Sequence, residues 1–409
     1  MIRRLSLFAS VLLLAIACGQ SPQASPPSLL LGAIYPLTGP QAVGGKQELG
    51  GVEAALQLAE AQGAPRIRLQ VIDATTPDEA AAAVGTLVHT YHVPAILGTY
   101  GSTLSAAASA RAEQLKVVYW ETGAVADPIT AHRQYVFRTV ATGSALGRMA
   151  VTFTHNVLVP QSRIRSPRVV IVHVNDIYGR SVGGGELQLA KKVGLAVVDD
   201  IEYSPSAYDA KVIAARVAED QPDFLWDVSY LDDGVAIWQA LLAARVHVVG
   251  AIGTSSAFCM PEFSARLGAA SVGVYAADKP DANISASALS ASGKTLLDEA
   301  RAAYAQGNGG ASMQIPAVAG FVGAWTLFHY VIARLGAPAT PDSIRAAAIK
   351  VDVPVGDSIN GGGVKFAGAG ALDEGQNTRA AAVVGQWQAV GVMTVLYPPA
   401  YATGQPLGG

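Results

Sequence analysis

Residues 169–179 read Val-Val-Ile-Val-His-Val-Asn-Asp-Ile-Tyr-Gly. The first six are almost continuously apolar and β-branched, the composition of a strand buried on both faces. Asn175 and Asp176 break the run, and residues 179–193 continue with helical spacing. The same unit recurs on either side. Downstream, strands are expected at 197–201, 224–228 and 246–249, with helices at 208–219 and 233–244 between them. Upstream, strands at 29–37, 67–72, 95–97 and 117–119 alternate with helices at 45–61, 77–91 and 102–114. Strand–helix alternation with short connections implies parallel sheets covered on both faces. Two series imply two sheets, hence two α/β lobes. The remaining chain differs, with helices at 292–305, 314–335 and 341–349, then strand patterns at 361–366 and 379–396 before Pro398-Pro399.

The chain has 409 residues, of which 51% are hydrophobic and 14% charged, a composition for packed domains and too long for one core. Arg3 and Arg4 precede an apolar run, 5–16, that ends in Leu14-Ala15-Ile16-Ala17-Cys18. That is the layout of a secretory signal peptide, and the cysteine at its end resembles a bacterial lipobox, although Ala15 stands where leucine is commoner. The expectation is cleavage before Cys18 and lipidation of its thiol, with 1–17 removed and 18–28 (CGQSPQASPPS) a flexible tether. The protein is then extracytoplasmic and touches membrane only through the lipid. The run 315–335 is long and apolar but broken by proline, glycine, His329 and Arg334, so it reads as a buried helix.

Formal charge is −3, and loss of the signal peptide leaves 26 basic against 31 acidic residues. No basic patch supports nucleic-acid binding. With Cys18 lipidated only Cys259 remains, which excludes an internal disulfide and a cysteine-built zinc site; Cys259 reads as a small buried hydrophobe. His89 and His92 lack a third ligand, and the glycine-rich turn 179–185 lacks both the dinucleotide spacing and the Walker lysine. There is no G-x-S-x-G elbow and no catalytic constellation, so neither enzyme activity nor a cofactor or metal is expected.

Ligands of open parallel sheets bind beyond the C-terminal ends of the strands. That rule selects the loops at 36–39, 98–103, 121–127, 175–179, 229–232 and 253–256 as the walls of one cleft between lobes.

Four stretches, three of them at these loops, carry a resemblance. Leu37-Thr38-Gly39-Pro40, Gly98-Thr99-Tyr100-Gly101-Ser102-Thr103, Tyr135-Val136-Phe137-Arg138-Thr139 and Asn175-Asp176-Ile177-Tyr178-Gly179 occur in order and in register. Together they resemble type I periplasmic binding proteins, the leucine/isoleucine/valine-binding kind that serve ABC importers. The likeness runs from about Leu29 to Pro399. It implies two doubly wound parallel-sheet lobes joined by a three-crossing hinge. Lobe I is then 29–142 with 278–352, and lobe II is 143–277 with 353–409. It also implies capture of a branched-chain or other hydrophobic amino acid, or a similar small organic solute, for an inner-membrane ABC permease. Amide, urea or aromatic-acid receptors and sensory modules are the alternatives.

By the same resemblance, Ser102 and Thr103 at a helix start, with the loop around Ala124 and Ala126, would hold a ligand carboxylate. Ser102 also suits an ordinary helix cap. Ala126 stands where the family has a threonine hydroxyl. Tyr100 resembles a tyrosine of the amide- and urea-binding branch, and Tyr178 and Tyr230 resemble tyrosines that close over the ligand. Two departures stand out. The family's acid for a ligand ammonium is replaced by Gly253-Thr254-Ser255-Ser256, which brings Thr254 and Ser255 to the site. A buried ammonium would need another partner, with Asp232, Asp127 and Glu121 the nearby candidates, each otherwise a solvated surface acid. An aromatic wall is replaced by Gly44, which enlarges the expected pocket and favours a bulkier or less cationic ligand than leucine.

Overall fold

The computed structural model describes residues 28–336 and 338–407; the signal peptide and Cys18 lie outside them. Strands β1 (Leu29–Tyr35), β2 (Ile67–Asp73), β3 (Ala95–Gly98), β4 (Val118–Glu121) and β5 (Val136–Arg138) form one sheet in the order β2-β1-β3-β4-β5, with every pair parallel. Helices α1 (Ala42–Ala61), α2 (Pro77–His89) and α3 (Ser102–Leu115) supply the crossovers. Thr76 and Glu79 form a reciprocal cap at the start of α2.

The chain leaves β5 for the second lobe through α4 (Gly143–Phe153) and its continuation α5 (Val159–Ser162). There β6 (Arg168–Val174), β7 (Ala196–Tyr203), β8 (Phe224–Val228), β9 (Gly250–Thr254) and β10 (Tyr275–Asp278) alternate with α6 (Ile177–Val193), α7 (Ala210–Asp220), α8 (Leu231–Ala243) and α9 (Pro261–Leu267). The quoted stretch is β6 and the opening of α6, and Asp176 caps that helix by accepting from the N–H groups of Tyr178 and Gly179. From β10 the chain returns to the first lobe as α10 (Ala291–Gly307), α11 (Ile315–Trp325), a helical extension to Arg334, and α12 (Pro341–Ala348). The run Ile315–Arg334 is mostly buried against the rest of the chain, as its breaks imply.

Short strands β11 (Asp352–Val353) and β12 (Val364–Lys365) pair with each other. Strands β13 (Val383–Ala389) and β14 (Val392–Tyr397) then extend the second sheet antiparallel from β10, giving the order β14-β13-β10-β9-β8-β6-β7.

Two features differ from the sequence reading. The strand expected at 246–249 lies at Gly250–Thr254 instead; its two glycines lack the β-branched signal, and pairing with β8 and β10 fixes it. The third crossing falls between Asn377 and β13 rather than at 353, because Val353, Ile359, Val364 and Phe366 are buried in the first lobe's core. Phe366 packs edge-on against Trp120 and Phe137, with ring centroids 5.4 and 5.1 Å away. The first and third crossings are tied together. Arg138, fully buried, donates to Gln376 at 2.6 Å, and Asn377 donates to the Thr139 carbonyl at 2.8 Å.

Candidate functional site

The C-terminal ends of both sheets face one cleft. Tyr35, Gly98 and Glu121 end strands of the first sheet, and Val174, Val228, Thr254 and Asp278 end strands of the second. The lobes touch across the cleft. Thr103 donates to Asp176 at 3.3 Å, and the Asp127 N–H donates to the Ser181 hydroxyl at 3.0 Å. Tyr230 donates to the same Asp176 carboxylate at 2.5 Å, and its ring lies 5.4 Å from that of Tyr178. Tyr178 is buried and donates to the Thr254 carbonyl.

A chamber of about 390 Å³ opens between the lobes, within the range of small-molecule sites. Tyr100, Thr103 and Leu104 line it from the first lobe; Tyr208, Tyr230 and Met260 line it from the second. Gly44 does not enlarge this space as expected. A side chain there would meet the ring of Tyr100, which fills the position itself.

Below lies a smaller cavity of about 10 Å³, room for one water-sized group. Glu48, Gly123, Ser255, Asp278 and Lys279 line it, and Tyr100 and Ser256 line both spaces. Lys279 Nζ stands 3.0 Å from Asp278 and donates to Ser255 at 3.3 Å. Burial pulls the Lys279 ammonium down, but Asp278, with Cys259 and Glu48, more than offsets this and leaves it raised. Glu48 is fully buried and pushed up to about 8, by burial first and then by the charge of Glu121. Thr122 donates to its Oε1 at 2.5 Å. Cys259 is buried, and burial raises its thiol.

The residues expected to hold a carboxylate lie together, with their polar groups turned on one another. Ser102 is the first residue of α3, with Gly101 as the cap, so its hydroxyl is not the capping group. That hydroxyl accepts from the Ala126 N–H at 3.1 Å. The Ala124 and Gly123 N–H groups donate to Glu121 at 2.6 and 2.7 Å, and Ser105 donates to the same carboxylate. Glu121 is therefore no solvated acid. It is fully buried, and burial raises it to about 7 against the pull of these donors. Of the other acids, Asp232 is an exposed partner of Arg266 at 2.5 Å, and Asp127 accepts from the Ser144 N–H at 3.0 Å. Of the expected site residues, Tyr100, Thr103 and Tyr230 line the chamber and Ser255 the cavity. Ser102, Ala124, Ala126, Tyr178 and Thr254 are buried beside them.

Glu48, Asp278 and Lys279 escaped the sequence reading. The signal for Glu48 was a carboxylate on the stripe of α1 that also buries Gly44, Gly51, Val52 and Ala55. Asp278 follows from the strand-end rule once β10 is recognised.

Residues 29–390 match the family model described as periplasmic binding protein. The chain is 29% identical over 374 residues, 90% of each sequence, to Leu/Ile/Val-binding protein homolog 8 of Brucella abortus. Among solved structures it is similar to the branched-chain amino acid transporter substrate binding protein of Streptococcus pneumoniae in complex with isoleucine. That likeness has a TM-score of 0.74 at 18% identity and covers 91% of this chain and all of the other. It is also similar to the solute binding protein of an ABC transporter from Rhodopseudomonas palustris in complex with 3,4-dihydroxybenzoic acid. Here the TM-score is 0.72 at 19% identity, with 88% of this chain and 93% of the other covered.

Proposed function

This chain belongs to the periplasmic binding protein family, and from that we propose that it is the extracytoplasmic solute receptor of an ABC importer, lipid-anchored through Cys18. Its work is to bind a small organic molecule between the lobes and release it unaltered to an inner-membrane permease. The observation that carries this reading is the chamber itself. Strand-end groups of two facing parallel sheets wall it from both sides, so a solute there contacts both lobes at once. A solute that touches both faces favours the closed arrangement by its differential affinity for it. Apolar burial against Leu104, Met260 and the tyrosines supplies most of the affinity, at about 25 cal/mol per Å².

A branched-chain or other hydrophobic amino acid is the first solute class, in line with the named relatives. An aromatic acid is the second, because Tyr100, Tyr208 and Tyr230 line the chamber. A melting-temperature panel of amino acids, amides, urea and aromatic acids tests both. A ligand at 100 times its dissociation constant adds about 2.7 kcal/mol of stability. One member should raise the melting temperature by several degrees; no shift across the panel, with a permanently open cleft in solution scattering, would sink the reading.

A further inference from the structure

The polar groups at the base of the cleft take their partners from within the chain. The N–H groups of Gly123 and Ala124 converge beyond the end of β4 on a carboxylate, and that carboxylate is the chain's own Glu121. Ser105 secures its other oxygen, and the next free N–H of the loop, Ala126, donates to Ser102. The acids of the floor have a cation of their own as well. Lys279 stands 3.0 Å from Asp278 and lines the same cavity as Glu48. About 10 Å³ leaves room beside them for one water-sized group, too little for the three heavy atoms of a carboxylate. Tyr100, whose ring fills the space above Gly44, borders both this cavity and the chamber. The body of a solute therefore lies in the chamber and meets other groups.

The chamber has its own chemistry. Its charged lining residues are Asp176, Asp232 and Asp233, and among the described residues no lysine or arginine lines it. A carboxylate would shed its hydration there beside three acids and without a counter-charge, which is costly. Nor do the acids await a cation. Asp176 accepts from Thr103, from Tyr230 and from two helix N–H groups. Asp232 pairs with Arg266, and Asp233 accepts from Tyr203. The group left over is neutral: Gln41 lines the chamber, and its Oε1 is buried with no hydrogen-bond partner among the described residues. A buried carbonyl oxygen of this kind costs free energy until an N–H or O–H reaches it.

We infer that the solute is an uncharged molecule, an apolar or aromatic body with an amide or hydroxyl donor that meets Gln41, and that Glu121 excludes carboxylic acids by occupying the N–H cradle itself. This rests on the solute-receptor reading and, within it, selects uncharged solutes over amino acids and aromatic acids.

Matched probes test it by calorimetry on the whole protein. One set is 4-methylpentanamide, 4-methylpentanoate and L-leucine; the other is 3-phenylpropanamide, 3-phenylpropanoate, L-phenylalanine and 2-phenylethylamine. The expected result is that an amide binds and its charged partners bind about 10- to 100-fold more weakly, the cost of burying a charged group without a partner. Glu121→Ala empties the cradle and should tighten the matching acid by about 10-fold while the amide changes little. Far-UV circular dichroism and melting check that this variant folds, and the probe sets decide on the unaltered protein if it does not. Equal or tighter binding of an acid, an amino acid or the amine overturns the inference and leaves the receptor reading intact. So does an acid affinity indifferent to Glu121→Ala in a folded variant, or binding of neither amide.

Discussion

Ser102 joins the two halves of the first lobe's rim, because its hydroxyl accepts from Ala126 across the base of the cleft. Ser102→Ala removes one neutral hydrogen bond and should cost about 1 kcal/mol of stability. Solute affinity should fall by more than that stability loss implies if the hydroxyl also meets the ligand; an unchanged dissociation constant in calorimetry removes it from the site. Individual residues were unevenly legible. Tyr100, Thr103 and Tyr230 sit just beyond strand ends, at positions that strand-end geometry marks in advance. Gly44 was legible as a missing side chain but not as a seat for Tyr100, since nothing local joins positions 56 residues apart. Glu48 was hidden by its helix, where a lone acid reads as solvated until its neighbours are known.

Among the elements, the long β-branched strands were plain in the sequence. Of the short or glycine-bearing ones, β3 and β4 were legible, whereas β5, β9 and β10 were not. Strands β5 and β10 have three and four residues, too few for a periodic pattern, and are fixed by their partners. The segment from β11 to Asn377 packs on the first lobe through contacts that no local pattern announces, among them the edge-on packing of Phe366 against Trp120 and Phe137, far away in sequence. That contact is testable. Phe366→Ala removes a buried ring that packs edge-on against both Trp120 and Phe137 and should cost about 3–5 kcal/mol. The loss should appear as a lower melting temperature with faster hydrogen exchange in the first lobe's strands, and exchange confined to the second lobe would contradict the assignment.

For the molecule as a whole, buried acids set the response to pH. Glu48 and Glu121 are raised to about 8 and about 7 from an ordinary 4.5, chiefly by burial. Between pH 4.5 and 8 the folded chain keeps protons that the unfolded chain has released, so stability falls as pH rises through that window. Each such group contributes up to about 1.4 kcal/mol per pH unit while the two states differ by a full proton. Asp227, raised to about 8 by burial, acts in the same direction. The melting temperature without added solute should therefore be higher near pH 5 than near pH 8. Glu48→Gln should flatten part of that slope, and an equal slope in the variant would show that Glu48 ionises normally.

The pinning of Arg138 to Gln376 and of Thr139 to Asn377 makes two of the three connecting strands act as a single axle. The remaining strand starts at Lys279, directly beside the carboxylates on the cleft floor. The two lobes thus meet at one tied pair of strands and at one separate strand that begins beside the buried charges of the cleft floor.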